Sequence, residues 1–327
     1  MSAHILVTGG AGFIGSHLTR RLLDRSDRVT ILDDFNDFYD PARKRAHVAR
    51  LADSDGFSVV EGDIRDADLV DQLFRDHQFD AVVHLAARAG VRPSLKEPIL
   101  YEDTNCIGTL RLLEAARHNG PDTFIFGSSS SVYGINQKVP FAEDDEVNQP
   151  ISPYATTKRA GELLCYNYHH LYGLRTACLR FFTVYGPSQR PEMAIHKFTN
   201  LIAKGEPITM YGDGSSRRDY TYVDDIIDGV VASLDLAPQF EILNLGGAET
   251  TSLADLVKWI GEELAVTPKI EYLPDQPGDV PITFADVSKA QRLLGYSPKV
   301  SIREGIRRFV AWYRESQADS GFAIGRS

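Results

Sequence analysis

Cysteine is scarce: Cys106, Cys165 and Cys178 are the only three in 327 residues. Their number is odd and their neighbours are apolar or helix-forming, so no disulfide framework and no metal-ligand spacing is visible. Histidine supplies no ligand set either. His169 and His170 stand together without a second pair, which suits a helix surface better than a metal. A basic excess is also missing: 35 Lys and Arg against 45 Asp and Glu leave a net charge of −10. That argues against general affinity for nucleic acid or an anionic membrane, while leaving room for a local basic pocket. No apolar run is long enough to span a bilayer. The opening "MSAHILVTGG" enters a strand directly and lacks the regions of a signal peptide. A reducing cytoplasm is the expected location. There is no internal repeat and no low-complexity linker.

Hydrophobic content of 43% and charged content of 24% are ordinary for a soluble globular enzyme. The first half alternates apolar runs of strand length with helical patterns. "HILVTG", "RVTILD", "FSVVEGD", "DAVVHLAA", "TFIFGSSSS" and "RTACLRFFTVYGP" read as strands, and Phe13 to Asp24 as the first helix. Strands that are apolar throughout and separated by helices predict a parallel sheet covered on both faces. The fold class is therefore α/β, a doubly wound parallel sheet with ligands at the carboxyl ends of its strands. After about residue 187 the pattern loosens. Helices are expected at Met193 to Lys204, Asp224 to Asp235 and Leu253 to Leu264, "EILNLGG" is a strand, and the remaining helices are short. A dinucleotide-binding domain is expected over 1–187, with a returning segment at about 220–246. Residues 188–219 and 247–317 make a smaller interleaved lobe for substrate, and 318–327 a frayed tail.

"TGGAGFIG" places Gly9, Gly12 and Gly15 at three-residue spacing after a strand and at the opening of a helix. The glycines permit a tight turn, and the helix N-terminus offers free N–H groups to a pyrophosphate. Phe13 and Ile14 belong to the same turn. Asp33 and Asp34 close the second strand roughly twenty residues on. A carboxylate there accepts from ribose hydroxyls and repels a 2′-phosphate, which favours NAD over NADP; a solvated loop acid is the plain alternative for Asp34. Asn36 follows in the same loop. Asp63 and Ile64, after the third strand, suit adenine, and Leu85, Ala86 and Ala87 are small enough for a cofactor to lie close.

"SPYATTKRAGELL" sets Tyr154 and Lys158 one turn apart on one helix face. A phenol ordinarily holds its proton until about pH 10, and a neighbouring cation lowers that value. The pair suits a base for alcohol oxidation. The same spacing also serves ordinary surface pairs.

Taken together, the glycine turn, "HLAA", "SSSSVYG" and Tyr154-x-x-x-Lys158 occur in an order that resembles the extended short-chain dehydrogenase/reductases, over roughly residues 3 to 315. Within that group the chain looks most like nucleotide-sugar 4-epimerases of the UDP-glucuronate type, on "HLAARAGVRPS", "LRFFTVYGPSQRPEMA" and "QPGDVPITFADVSKA". The resemblance implies that Tyr154 is the base, Lys158 its partner and a ribose ligand, and Ser129 the hydroxyl on the reacting sugar oxygen. It implies cofactor contacts from Asn105 and Phe181, with Phe182 beside them. It implies bound NAD, a UDP-sugar substrate, a 4-keto intermediate that turns over within the site, and a homodimer built on helices at about Pro98–Asn119 and Pro153–Tyr172.

Ser130 and Ser131 stand where dehydrating relatives carry Asp and Glu and where decarboxylating ones tend to carry an acid. Neutral hydroxyls there suit a sugar carboxylate. Thr183, in place of the Asn of glucose/galactose epimerases, and Arg190 are the expected carboxylate contacts. Arg88 and Arg92 are weaker candidates. Arg218 is expected on phosphate, with Gln276 and Asp279 in the nearby "QPGD" loop. UDP-glucose or UDP-N-acetylglucosamine epimerisation, a dehydratase or decarboxylase, and a non-enzymatic dinucleotide sensor are the competing readings.

Overall fold

The computed structural model describes residues 2–274 and 281–319. Its first half runs β1 (His4–Thr8), α1 (Phe13–Asp24), β2 (Arg28–Asp33), α2 (Pro41–Ala49), β3 (Phe57–Glu61), α3 (Ala67–Asp76) and β4 (Ala81–His84). Next come α4 (Val91–Lys96), α5 (Pro98–Glu102), a π-helical turn at Asp103–Ile107, α6 (Gly108–Asn119) and β5 (Thr123–Ser129). A 3₁₀ turn (Ser130–Tyr133) and a long loop lead to α7 (Pro153–Tyr172), β6 (Arg175–Phe181) and β7 (Thr183–Tyr185). The remainder is α8 (Ala194–Ala203), β8 (Ile208–Tyr211), β9 (Arg217–Arg218), β10 (Tyr220–Tyr222), α9 (Val223–Leu236) and β11 (Phe240–Leu245). Last are β12 (Thr251–Ser252), α10 (Leu253–Leu264), β13 (Ile270–Leu273), α11 (Ser288–Leu294) and α12 (Ile302–Asp319).

Seven parallel strands form one sheet in the order β11-β6-β5-β4-β1-β2-β3. Alternate residues of each strand feed opposite faces, as the two-residue period requires. Ile5, Val7, Val29, Ile31, Val83, Ile125 and Leu179 enter one core cluster, whereas Leu6, Leu32, Val82, Phe124, Phe126 and Cys178 enter the other. Each fully buried aliphatic side chain contributes about 1.5–3 kcal/mol. The sheet is thus the floor on which every carboxyl-end loop is fixed. The strand order doubles back between β1, which leads to β2, and β4, which opens the crevice above them.

Three expectations needed correction. "RTACLRFFTVYGP" is two strands, because the chain changes partner at Phe182: its N–H donates to Leu245, and that of Thr183 donates to Asp219, so β7 pairs with β10 outside the main sheet. The helix expected over Pro98–Asn119 contains a π-helical turn. The helices after residue 264 are not all short: α12 runs 18 residues and buries Ile302, Ile306, Phe309, Val310 and Tyr313 at helical spacing. It also takes in Ala318 and Asp319.

Candidate active site

A cavity of about 470 Å³ opens above the carboxyl ends of the strands. On one side its wall is the turn after β1. Gly9 has φ +70°, and a Cβ there would lie 2.7 Å from the Ala86 backbone nitrogen; one on Gly15 would lie 2.2 Å from the Gly9 carbonyl oxygen. Gly12 is the N-cap of α1 and brings no capping side chain, so the positive end of the helix stays open toward the cavity. Phe13 and Ile14 line it with the three glycines.

Asp33 and Asp34 close this side. The Asp33 carboxylate accepts from the Ala11 and Phe35 N–H groups at 3.1 and 3.0 Å. Burial raises its pKa above the ordinary value, and Lys44, whose Nζ lies 3.6 Å away, works against that rise. The Asp34 carboxylate accepts from Asn36, whose side chain also fixes the loop by accepting from Phe38 N–H. Asn36, Asp63, Ile64, Leu85, Ala86 and Ala87 all reach the wall. His84, at the end of β4, is wholly buried between the hydroxyls of Thr8 and Thr109, and desolvation holds it neutral with a pKa near 3. Two further wall residues, Tyr39 and Thr104, carry buried hydroxyls with no hydrogen-bond partner among the described residues. A side-chain-free turn, an uncapped helix end, acids beyond β2 and β3, and two waiting hydroxyls fit a dinucleotide.

The opposite wall is built from side chains. Ser152 caps α7 by accepting the Ala155 N–H at 3.2 Å, Pro153 occupies the first turn, and Gly173 ends the helix in the left-handed region. This fixes Tyr154 in the first turn, across from Ser129 at the end of β5. The Ser129 hydroxyl hydrogen-bonds the phenol. Tyr101 packs edge-on against the Tyr154 ring with centroids 6.4 Å apart.

The expected action of Lys158 on Tyr154 is not what the structure contains. Burial pushes the phenol above its usual value, and the opposing influences are the Ser129 hydrogen bond and the Arg190 guanidinium. The Lys158 ammonium instead donates to the Gly127 carbonyl at 2.6 Å and lies 5.0 Å from the Phe126 ring centroid. Desolvation lowers its own pKa to about 8. The two residues share a helix face, but the longer side chain runs on to the end of β5 while the phenol stays at the helix start.

Ser130, Ser131, Phe181, Phe182, Thr183 and Arg190 complete this wall, joined by Arg88. The Arg190 guanidinium pairs with Glu192 at 3.1 Å and lies 5.5 Å from the Phe38 ring. Arg92 lies over the Tyr211 ring at 5.8 Å. Like Arg92, Asn105 and Arg218 are not among the residues that line the cavity. Asn105 is spent on structure: its amide oxygen accepts from the Arg88 N–H, and its NH₂ donates to the Arg88 carbonyl and the Thr157 hydroxyl. Arg218 sits on β9 and donates to the Arg217 carbonyl at 2.9 Å. Gln276 and Asp279 lie outside the described residues.

Residues 6–309 match the GDP-mannose 4,6 dehydratase family. The chain belongs to that family. Like its other members of this kind, it is an extended short-chain dehydrogenase/reductase. UDP-glucuronate 4-epimerase 4 of Arabidopsis thaliana is 44% identical to it, over 94% of this chain and 75% of the plant protein. UDP-glucuronate 4-epimerase of Thermodesulfobacterium geofontis is 43% identical, over 96% and 97% of the two chains. The crystal structure of UDP-glucuronic acid 4-epimerase from Bacillus cereus in complex with UDP-glucuronic acid and NAD superposes with a TM-score of 0.90 at 38% identity, covering 96% of this chain and 99% of that one.

In this member of the family, sequence reasoning missed Lys44, Tyr39 and Thr104. Lys44 sits in "PARKRAH", on a helix whose other basic residues give it no distinguishing signal. Thr104 adjoins the Asn105 that was singled out. On the π-helical turn Thr104 reaches the cavity, while Asn105 bridges the loop after β4, at Arg88, to Thr157 of α7.

Proposed function

We infer that this chain is an NAD-dependent C4 epimerase of a UDP-hexuronate, converting UDP-glucuronate to UDP-galacturonate. One observation carries the substrate reading. The acidic wall residues, Asp33 at the end of β2, Asp34 just after it and Asp63 after β3, lie on the far side, whereas the wall around Tyr154 offers Ser, Thr and Arg and, among the described residues, no carboxylate. A sugar carboxylate meets hydroxyls and guanidinium on this lining; the Glu192 carboxylate, outside the lining, is paired with Arg190 at 3.1 Å.

Gly9, Gly12, Phe13, Ile14, Gly15, Asp33, Asn36, Asp63, Ile64, Leu85, Ala86, Ala87, Lys158 and Phe181 would hold NAD, with Asp33 or Asp34 toward the ribose. Bound NAD supplies reversible oxidation of the sugar carbon. Tyr154 takes the proton of the 4-hydroxyl and returns it, and Ser129 holds the same oxygen. Ser130, Ser131, Thr183 and Arg190 hold the carboxylate away from alignment with the 4-ketone, which protects the keto acid from losing carbon dioxide. Arg218 is assigned to the diphosphate, on a strand of the smaller lobe. The test is incubation with UDP-glucuronate and a panel of UDP- and TDP-sugars without added NAD, with products resolved by NMR. UDP-galacturonate is expected; a pentose as main product, or turnover of UDP-glucose alone, overturns the reading.

The protein is assigned as a homodimer in the cytoplasm. Ile99, Ile107, Leu163 and Leu171 are exposed along the two helical stretches that a partner copy would cover. All three cysteines are free thiols, and among the described residues no helix is long and apolar enough to cross a membrane. Light scattering on Leu163→Glu checks the interface: a variant that stays dimeric removes it.

A further inference from the structure

Behind the cavity lies an ion pair that none of this chemistry uses. The side chains of Glu162, on α7, and Arg180, on β6, are 0% and 1% exposed. Arg180 Nε and NH2 donate to the two carboxylate oxygens at 2.8 and 3.0 Å. The Ser128 hydroxyl donates to Oε1 at 2.7 Å and Arg159 NH1 to Oε2 at 3.0 Å, so the carboxylate accepts four hydrogen bonds. On its other side the Arg180 guanidinium lies 4.8 Å from the Tyr133 ring centroid, and the Tyr133 hydroxyl donates to Asn244 at 2.6 Å.

A buried ion pair is a weak source of stability, because desolvating both charges offsets most of their attraction; apolar residues of equal volume often hold the same elements as well. What this pair gives that apolar packing does not is direction. Tyr154, Lys158 and Glu162 follow each other at four-residue intervals along one face of α7. Ser128 immediately precedes Ser129, and Arg180 immediately precedes Phe181. One carboxylate therefore ties the helix of the base to the ends of the two strands that deliver the sugar-binding hydroxyl and the cavity wall.

We propose that Glu162 is a positioning residue for the C4 chemistry, which fixes the Tyr154 helix against the Ser129 strand end with Arg180 as its counter-charge. The proposal rests on the epimerase reading. Glu162 also faces Lys158, as do Cys165 on the same helix, Cys106 on the π-helical turn and His84 on β4. It is the one carboxylate among these four. Burial pushes the Cys106 thiol up to about 12 and His84 is neutral, so neither replaces its charge.

The test compares wild type with Glu162→Gln/Arg180→Met, which removes both fully buried charges and leaves only the partly exposed Arg159 without its carboxylate, and with Glu162→Asp, which keeps the charge and shortens its reach. Thermal melting, kcat and KM for UDP-glucuronate, and the pH dependence of kcat are measured for each. The double variant is expected to melt within a few degrees of wild type, to lose kcat roughly 10- to 100-fold, to keep its KM, and to lose activity at lower pH on the alkaline side. Glu162→Asp is expected to lose kcat several-fold with the alkaline limb in place. A double variant that melts and turns over like wild type, with an unmoved limb, overturns the proposal. If the double variant does not fold, Glu162→Asp decides: wild-type kcat overturns the proposal and a selective kcat loss supports it. An inactive wild type overturns the epimerase reading and this proposal together, whereas active wild type with fully active variants overturns this proposal alone.

Discussion

At the nucleotide end the cavity wall is mostly main chain: a glycine turn, an open helix end and a loop whose acids are tied to backbone N–H groups. At the sugar end it is side chain: a phenol, serine hydroxyls, a threonine and a guanidinium. A backbone-built site recognises shape and phosphate charge, and it fails by obstruction. A site built from side chains recognises one oxygen or one charge at a time, and it fails by deletion. The two ends should therefore respond to mutation in different observables.

The largest expected effect is at the sugar end. Tyr154→Phe removes the proposed base while sparing the fold, and turnover should fall about 10²- to 10⁴-fold with NAD content unchanged. Cofactor loss in this variant would break the division between the ends. Arg190→Met should raise KM for UDP-glucuronate about 10- to 100-fold, the worth of a hydrogen-bonded charge pair. UDP-glucose, if accepted at all, should be indifferent to the change. Because Arg190 holds the phenol pKa down, the acid limb of the rate profile should also move to higher pH.

At the nucleotide end, Gly15→Ala places a Cβ 2.2 Å from a backbone oxygen. Relief requires the turn itself to shift, at about 1–3 kcal/mol. Loss of co-purifying NAD and a lower melting temperature should precede any change in sugar affinity. A variant that retains NAD and loses only UDP-glucuronate binding would reverse the comparison. The smallest effect is on pH. Desolvation lowers Lys158 from 10.5 to about 8. Its ammonium is lost in the folded protein as pH rises through about 8, so turnover should fall up to tenfold per unit above that. Between about 8 and 10.5 the unfolded chain binds the extra proton, so the Lys158 contribution to stability rises with pH over the same window. Urea melts and rates measured together should move in opposite directions; a rate flat to pH 10 would remove Lys158 charge from the account.

Much of the fold was legible wherever local signals agree. Phe13–Asp24, Leu253–Leu264 and Pro153–Tyr172 have helical periodicity together with a start or stop residue, and the structure places their boundaries there. The last helix carried the same periodicity through Ile302, Ile306, Phe309 and Tyr313, and a serine at its start, Ser301, whose hydroxyl accepts from the Glu304 N–H at 3.4 Å; its length was underestimated all the same. The split at Phe182 had no local mark, because it depends on which strand offers the next carbonyl, Leu245 or Asp219.

The sequence by itself determined the glycine turn, the strand periodicity and the one-turn spacing of Tyr154 and Lys158, since these follow from backbone sterics and helix geometry within a few residues. Only the tertiary structure decided which charge acts on which group: Lys158 on Gly127, Arg190 near the phenol, Thr104 and not Asn105 at the wall. Hydrogen bonds and Coulomb forces act through space, and the partners here lie 17 to 52 positions apart in the chain. Spacing along one helix can place two groups on a face, but packing selects the atom each one reaches.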